Sequence, residues 1–125
     1  MHDAPKLENL RVLVVEDDFY LAGDAQRALR GAGAVVEGPY PSQSQAEDAL
    51  ARQRPDCAMI DINLGSGPSF ELARRLRQQQ VPFVFLTGYD RDLIPQEFSD
   101  VRCLQKPVEF RDMVQSIADL AQRSA

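Results

Sequence analysis

At 125 residues the chain has the size of one compact domain and leaves no room for a second. Its 44% hydrophobic content is enough to bury a core. Its formal net charge of −5 lacks the excess of Lys and Arg that non-specific nucleic-acid binding selects, so DNA or RNA is not an expected partner.

The first ten residues are polar, carry Asp3 and Glu8, and lack the charged-then-apolar layout of a signal peptide. No apolar run approaches the roughly 20 residues that span a bilayer. The expectation is a soluble, cytoplasmic protein with no membrane partner. Cys57 and Cys103 each lie in an apolar run with no Cys or His at metal-ligand spacing, which reads as two buried thiols in a reducing compartment. Met1 and the end of the last helical pattern are read as the limits of a chain not cut from a longer one.

Five short β-type runs follow in chain order: Val12–Val15, Val35–Glu37, Cys57–Ile60, Phe83–Leu86 and Val101–Leu104. Three are nearly continuous apolar stretches, the pattern of strands covered on both faces in a parallel sheet. Helical patterns separate them. Leu21, Ala25, Ala28, Leu29 and Ala32 recur at helix spacing, with Asp18 able to cap the start and Gly31 and Gly33 marking the end. Ser44 with Glu47 reads as a capping box for a second helix through Ala46, Ala49 and Leu50. Pro68 suits the first position of a third helix, with Leu72, Ala73 and Leu76 on one face. The last helix has the clearest stripe, formed by Phe110, Met113, Val114, Ile117, Leu120 and Ala121. Between Tyr89 and Asp100, Pro95 interrupts the pattern, so any helix there is expected to be short or irregular. Arg74, Arg75 and Arg77 read most simply as a solvated face, with an acidic partner as the other possibility.

Strands alternating with helices imply right-handed βαβ crossovers. The predicted class is therefore α/β, a doubly wound five-stranded parallel sheet of strand order 2-1-3-4-5 with helices on both faces. Ligands of such sheets bind at the carboxyl ends of strands 1 and 3. The first strand ends in Glu16, Asp17 and Asp18, the third in Asp61 followed by Asn63, the fourth in Thr87 and Gly88, and the fifth in Lys106 and Pro107. Crowded carboxylates repel one another, and a shared hard cation such as Mg²⁺ relieves that repulsion. An aspartate can attack phosphorus, while a lysine and a hydroxyl offset charge on the phosphoryl oxygens. Each residue also has a plainer reading. Asp17 and Asp18 suit helix caps, Asp61 or Thr87–Gly88 suits a turn, and Lys106 suits a surface charge or a structural partner of one carboxylate. Their joint placement at the ends of four strands is hard to explain without a site.

These residues resemble the receiver domains of two-component response regulators over roughly residues 10 to 122. The motifs are Val12-Leu-Val-Val-Glu16-Asp17-Asp18, Met59-Ile-Asp61-Ile-Asn63-Leu-Gly65, Leu86-Thr87-Gly88 and Lys106-Pro107. The resemblance implies a flavodoxin-like fold, with residues 1–9 a tail and 10–123 the receiver domain. It also implies a signalling module rather than an enzyme, phosphorylated on Asp61 by a histidine kinase or histidine phosphotransfer protein. Mg²⁺ would be held by Asp17, Asp61 and the Asn63 carbonyl, with Glu16 acting mainly through water and Asp18 outside the set. Lys106 would pair with the phosphoryl group across a cis Lys106–Pro107 bond, and Thr87 would swing towards it.

Asn63 and Tyr89, two residues beyond the acceptor and the threonine, would tune hydrolysis. Tyr89 either shields the phosphoryl group or is a plain loop tyrosine. Cys103 stands where most receivers carry Tyr or Phe. Phe85-Leu-Thr87-Gly88-Tyr89 partly matches a stand-alone receiver subgroup with a Phe-X-Thr-Gly-X-Tyr signature, whose members often act in bacterial stress or light signalling. Receivers usually meet kinases around the first helix, which makes Phe19, Tyr20 and Ala22 candidates here. Output would be through protein–protein contacts, as an adaptor, a phosphate sink or a relay shuttle.

Two other classes share part of this pattern. A haloacid-dehalogenase-like phosphatase also uses an aspartate after an apolar strand. It wants a second aspartate where Asn63 stands, and a cap domain for which there is no room. A receiver-shaped interaction module that is never phosphorylated usually loses part of the acidic set, Thr87 or Lys106, and all are present here.

Overall fold

The computed structural model describes residues 6–65, 67–89 and 91–124. Period-two alternation along the strands decides the architecture. On β1 (Arg11–Val15), Val12 and Val14 face one layer while Leu13 and Val15 face the other, and all four are buried. The same division runs through β3 (Cys57–Asp61) and β4 (Phe83–Thr87), which are buried throughout. With β2 (Val35–Tyr40) and β5 (Cys103–Gln105) they form one parallel sheet of order β2-β1-β3-β4-β5. The order agrees with the sequence expectation.

Helices cover both faces, as expected. α1 (Phe19–Gly31) places Ala25, Ala28 and Leu29 on the Val12–Val14 side. α4 (Phe110–Ser124) joins it there through Met113, Val114 and Ile117. On the other face, α2 (Gln43–Arg52) brings Ala46, Ala49 and Leu50, and α3 (Glu71–Gln78) brings Leu72, Ala73 and Leu76. The centres of the expected stripes are buried, while Leu21, Ala32, Leu120 and Ala121 are half-buried and Phe110 at the start of the last is 46% exposed. Leu7, counted with the tail on sequence grounds, is 3% exposed, and its N–H donates to the Ala32 carbonyl at 2.7 Å. The packed body therefore reaches back to Leu7.

Two helix starts differ from expectation. Ser42, not Ser44, caps α2, its hydroxyl accepting from Gln45 N–H at 3.3 Å. Ser44 is the second residue of the helix, and Glu47 pairs instead with Arg75 at 2.8 Å. α3 begins at Glu71 rather than Pro68. Pro68 is held in an isolated antiparallel bridge with Asn63, and Ser69 N–H donates to the Ile62 carbonyl at 2.7 Å. The loop after β3 thus folds back on itself before the helix starts.

The segment between β4 and β5 is irregular, as Pro95 suggested: two 3₁₀ turns, Arg91–Leu93 and Gln96–Phe98. Phe98 is fully buried among Phe70, Phe83 and Phe85. Two of the three α3 arginines, read most simply as a solvated face, bind this segment, and the third, Arg75, pairs with Glu47 on α2. Arg74 reaches Glu97 and Arg77 reaches Asp100, and both guanidinium groups lie over the Phe98 ring. β5 consequently starts two residues later than the apolar run, because Val101 N–H is already donated to the Phe98 carbonyl.

Candidate functional site

The switch in strand order falls between β1 and β3, so their ends open a crevice at the carboxyl edge. Glu16 follows β1 and is 1% exposed, its N–H tied to the Tyr40 carbonyl at 3.0 Å. Asp61 ends β3 and is 6% exposed. Asp17 is exposed, and a carboxylate oxygen from each of Glu16, Asp17 and Asp61 lies within 4.8 Å of the others. Asp18 turns away to cap α1, accepting from Leu21 N–H at 3.0 Å. This separates the cap from the acidic pair.

Lys106 follows β5, and its Nζ lies 2.7 Å from Asp61 Oδ2 and 2.9 Å from Glu16 Oε1. One ammonium group therefore offsets two buried carboxylates. The contact with Asp61 is a directed hydrogen bond. Glu16 Oε1 lies off the hydrogen-bond direction and has no other partner, while Glu16 Oε2 accepts from Asp18 N–H at 3.0 Å. Burial first, then the neighbouring Asp61 carboxylate, push the Glu16 carboxyl up to about 7, against the lowering effect of Asp18 N–H and Lys106. For Lys106, burial works against the charged form, but the Asp61 and Glu16 carboxylates beside it outweigh burial and raise its pKa. The Lys106–Pro107 bond is cis, as the resemblance implied.

A buried carboxylate oxygen without a hydrogen bond, beside two more carboxylates, suits a hard cation with oxygen ligands. The three carboxylates fit such an ion. Asn63, the expected carbonyl donor, lies on the loop fixed by its own N–H to Asp61 Oδ1 at 2.8 Å.

Thr87 ends β4 one residue beyond Leu86, which is in register with Asp61. It is buried, and its hydroxyl oxygen accepts from Tyr89 N–H at 2.8 Å. Lys106 N–H donates to the Thr87 carbonyl at 2.8 Å, tying the two strand ends together. Gly88 is exposed. Cys103, half-buried on β5, has its Sγ 3.8 Å from the Val101 carbonyl. Burial raises the thiol pKa there, with Arg91 opposing. Cys57, fully buried, is pushed up to about 12, first by burial and then by Asp56, and both thiols are free.

One contact escaped the sequence reading. Asn63 Nδ2 donates to the Tyr89 hydroxyl at 2.6 Å, while Asn63 Oδ1 accepts from Gly65 N–H at 3.0 Å and Gly67 N–H at 3.1 Å. Both glycines have positive φ, the region Gly enters without a Cβ penalty. The Asn63 amide thus ties the β3 loop to the β4 loop beside Asp61. The only signal in the sequence was that Asn63 and Tyr89 stand at the same offset from their strand ends.

This edge belongs with a family. The response regulator receiver domain matches residues 12–118, and the chain belongs to that family. That family is a signalling module of two-component systems rather than a classical enzyme. The chain resembles the sensory transduction protein LytT of Bacillus subtilis, with 25% identity over 129 residues, 92% of this chain and 54% of the relative. The chain thus spans about half the length of the curated relatives it matches. Among solved structures, the receiver domain of a modulated diguanylate cyclase from Desulfovibrio desulfuricans G20 superposes with a TM-score of 0.81 and 27% identity over 94% of this chain and 97% of that one. The response regulator PhyR from Brucella abortus reaches 0.83 over 96% of this chain and 50% of its own, at 20% identity, and so shares the fold. Among the described residues no helix is long and apolar enough to cross a membrane.

Proposed function

We propose that Asp61 accepts a phosphoryl group from the phosphohistidine of a histidine kinase or phosphotransfer protein. An Asp61 carboxylate oxygen bonds to phosphorus, the phosphorus–nitrogen bond breaks, and the departing imidazole keeps the electron pair and takes a proton from solvent. The Lys106 ammonium, already 2.7 Å from Asp61 Oδ2, carries the reading. It lies where charge on the phosphoryl oxygens must be offset. Thr87 spends its oxygen on Tyr89 N–H, which leaves its own O–H free to donate to a phosphoryl oxygen. Glu16, Asp17, Asp61 and the Asn63 carbonyl would hold Mg²⁺, which when bound neutralises part of the charge of the incoming phosphate.

On this reading the protein works in the cytoplasm, beside its phosphodonor. The exposed Phe19–Tyr20 pair, edge to face at 5.5 Å on the first turn of α1, and the neighbouring Ala22 offer a docking surface for that donor. The added charge biases the loops after β3 and β4 towards a second arrangement, read by a protein target.

The test is acetyl phosphate with Mg²⁺, read by intact mass. The wild type gains one phosphoryl group and Asp61→Asn gains none. Beryllofluoride with Mg²⁺ should shift the amides of Asp17, Asp61, Thr87 and Lys106 in wild type alone. No metal-dependent change in either protein overturns the reading in favour of an interaction module that phosphorylation does not control. Phe19→Ala/Tyr20→Ala with undiminished phosphotransfer from a kinase removes the docking assignment.

A further inference from the structure

The opposite, amino-terminal edge of the sheet holds a cavity of about 560 Å³ that the acidic site does not use. That volume lies in the range of small-molecule sites. Pro82, Val101 and Leu120 contribute apolar wall, and the charged lining is Arg54, Arg77, Arg102 and Arg123 with Asp100 and Asp119.

The two acids are already matched. Arg77 Nη2 lies 3.1 and 3.3 Å from the two oxygens of Asp100, and Arg102 Nη1 lies 3.0 Å from Asp119 Oδ2. Arg54 donates through Nε and Nη2 to the carbonyls of Gln79 and Gln80, which hold the guanidinium but do not cancel its charge. Arg123 pairs with no carboxylate among the described residues. The lining therefore carries two positive charges beyond its acids, in a chain of net charge −5. A concave cationic surface with apolar walls concentrates anions, and guanidinium groups match phosphate oxygens in pairs.

We propose that this cavity binds a small organic phosphomonoester of nucleoside-monophosphate size. Its dianionic group would lie between Arg54 and Arg123 and its flat body against Pro82 and Val101. The site is independent of Asp61.

The probe is AMP, titrated in chelator and followed by amide NMR, with adenosine and inorganic phosphate titrated separately. AMP should shift Val81, Phe83, Val101 and Arg102 saturably. Arg123→Gln, on the exposed last turn of α4, should weaken binding about fivefold, the size of one exposed charge contact. Arg54→Gln/Arg123→Gln, checked for an unchanged fold by circular dichroism, should remove it, and Asp61→Asn should leave it intact. Four results overturn the proposal. One is no saturable shift at these amides up to about 5 mM AMP, weaker than the millimolar range in which even small fragments bind. The others are shifts confined to the Asp17–Lys106 edge, wild-type affinity in the double variant, and adenosine or inorganic phosphate binding as tightly as AMP.

Discussion

Glu16 and Asp61 are placed by β1 and β3, whose residues Val12–Val15 and Cys57–Ile60 pair in register at the buried centre of the sheet. Between Thr87 and Cys103 the chain is held differently. Phe98 anchors it, and the rest is fastened by Arg74 to Glu97, Arg77 to Asp100, and Arg91 to the carbonyls of Ser99 and Val101. Those side chains are largely solvent-exposed, where each pair contributes at most about 1 kcal/mol. The carboxylates cannot separate without breaking a buried ladder, whereas the second region can rearrange by exchanging weak surface bonds. Charge is therefore fixed on one side of the edge, and the more easily opened segment lies on the other.

The fixed side breaks most severely at Lys106. Lys106→Ala leaves Glu16 and Asp61 buried without their shared ammonium, and loss of one partner from such a group costs about 3 kcal/mol. Urea unfolding in chelator should show that loss, and saturating Mg²⁺ should recover most of it. A variant as stable as wild type in chelator would mean that the lysine is a surface charge, as its plainer reading had it.

Glu16 supplies the pH dependence. Its carboxyl is raised from 4.5 to about 7 in the folded protein, so between these values the folded state binds more protons than the unfolded one. Its stabilising contribution is complete below pH 4.5 and is lost as pH rises through 7. Glu16→Gln, which never ionises, should therefore gain about 2 kcal/mol relative to wild type between pH 5 and pH 8 without metal. Parallel stability profiles for the two proteins would count against a carboxyl raised by burial.

How much of this was legible follows from the same contrast. The strand order, the faces of four helices and the acidic, threonine and lysine positions could be read because burial imposes period-two and helical patterns, and because strand ends fall at fixed places. The pairing of α3 with the segment before β5 could not be read, because Arg74 and Arg77 have the same spacing whether they face water or Glu97 and Asp100. Ser42 and Ser44 both fit a cap, and the choice was made by the hydroxyl that reaches Gln45 N–H. Pro68 was misplaced because the Asn63 side chain gathers Gly65 and Gly67 into a turn, a tertiary-scale bond with no periodic trace. The Asn63–Tyr89 bond joins residues 26 apart for the same reason.

That bond crosses the boundary between the two regions, so it sharpens the comparison. If the Tyr89 ring shields the phosphoryl group, Tyr89→Ala should shorten the lifetime of phosphorylated protein several-fold. Tyr89→Phe, which keeps the ring and loses the bond to Asn63, should fall between. Phosphate release followed after removal of the donor gives both values. An unchanged rate in Tyr89→Ala returns Tyr89 to the status of a loop tyrosine.

The smallest effect is expected on the loosely fastened side itself. Arg74→Ala removes two bonds to Glu97 Oε1, at 2.9 and 2.6 Å, together with a cation lying over Phe98. Half-exposed pairs of this kind are worth about 0.5 kcal/mol, so global unfolding should barely move. The local consequence should be visible where the global one is not. Amide exchange at Phe98, Ser99 and Val101, whose N–H groups close the 3₁₀ turn, should accelerate, while Val14 and Met59 in the central strands keep their protection. Equal acceleration in both places would mean that the segment and the strands open together. The division between a fixed charge site and a loosely fastened segment would then fail.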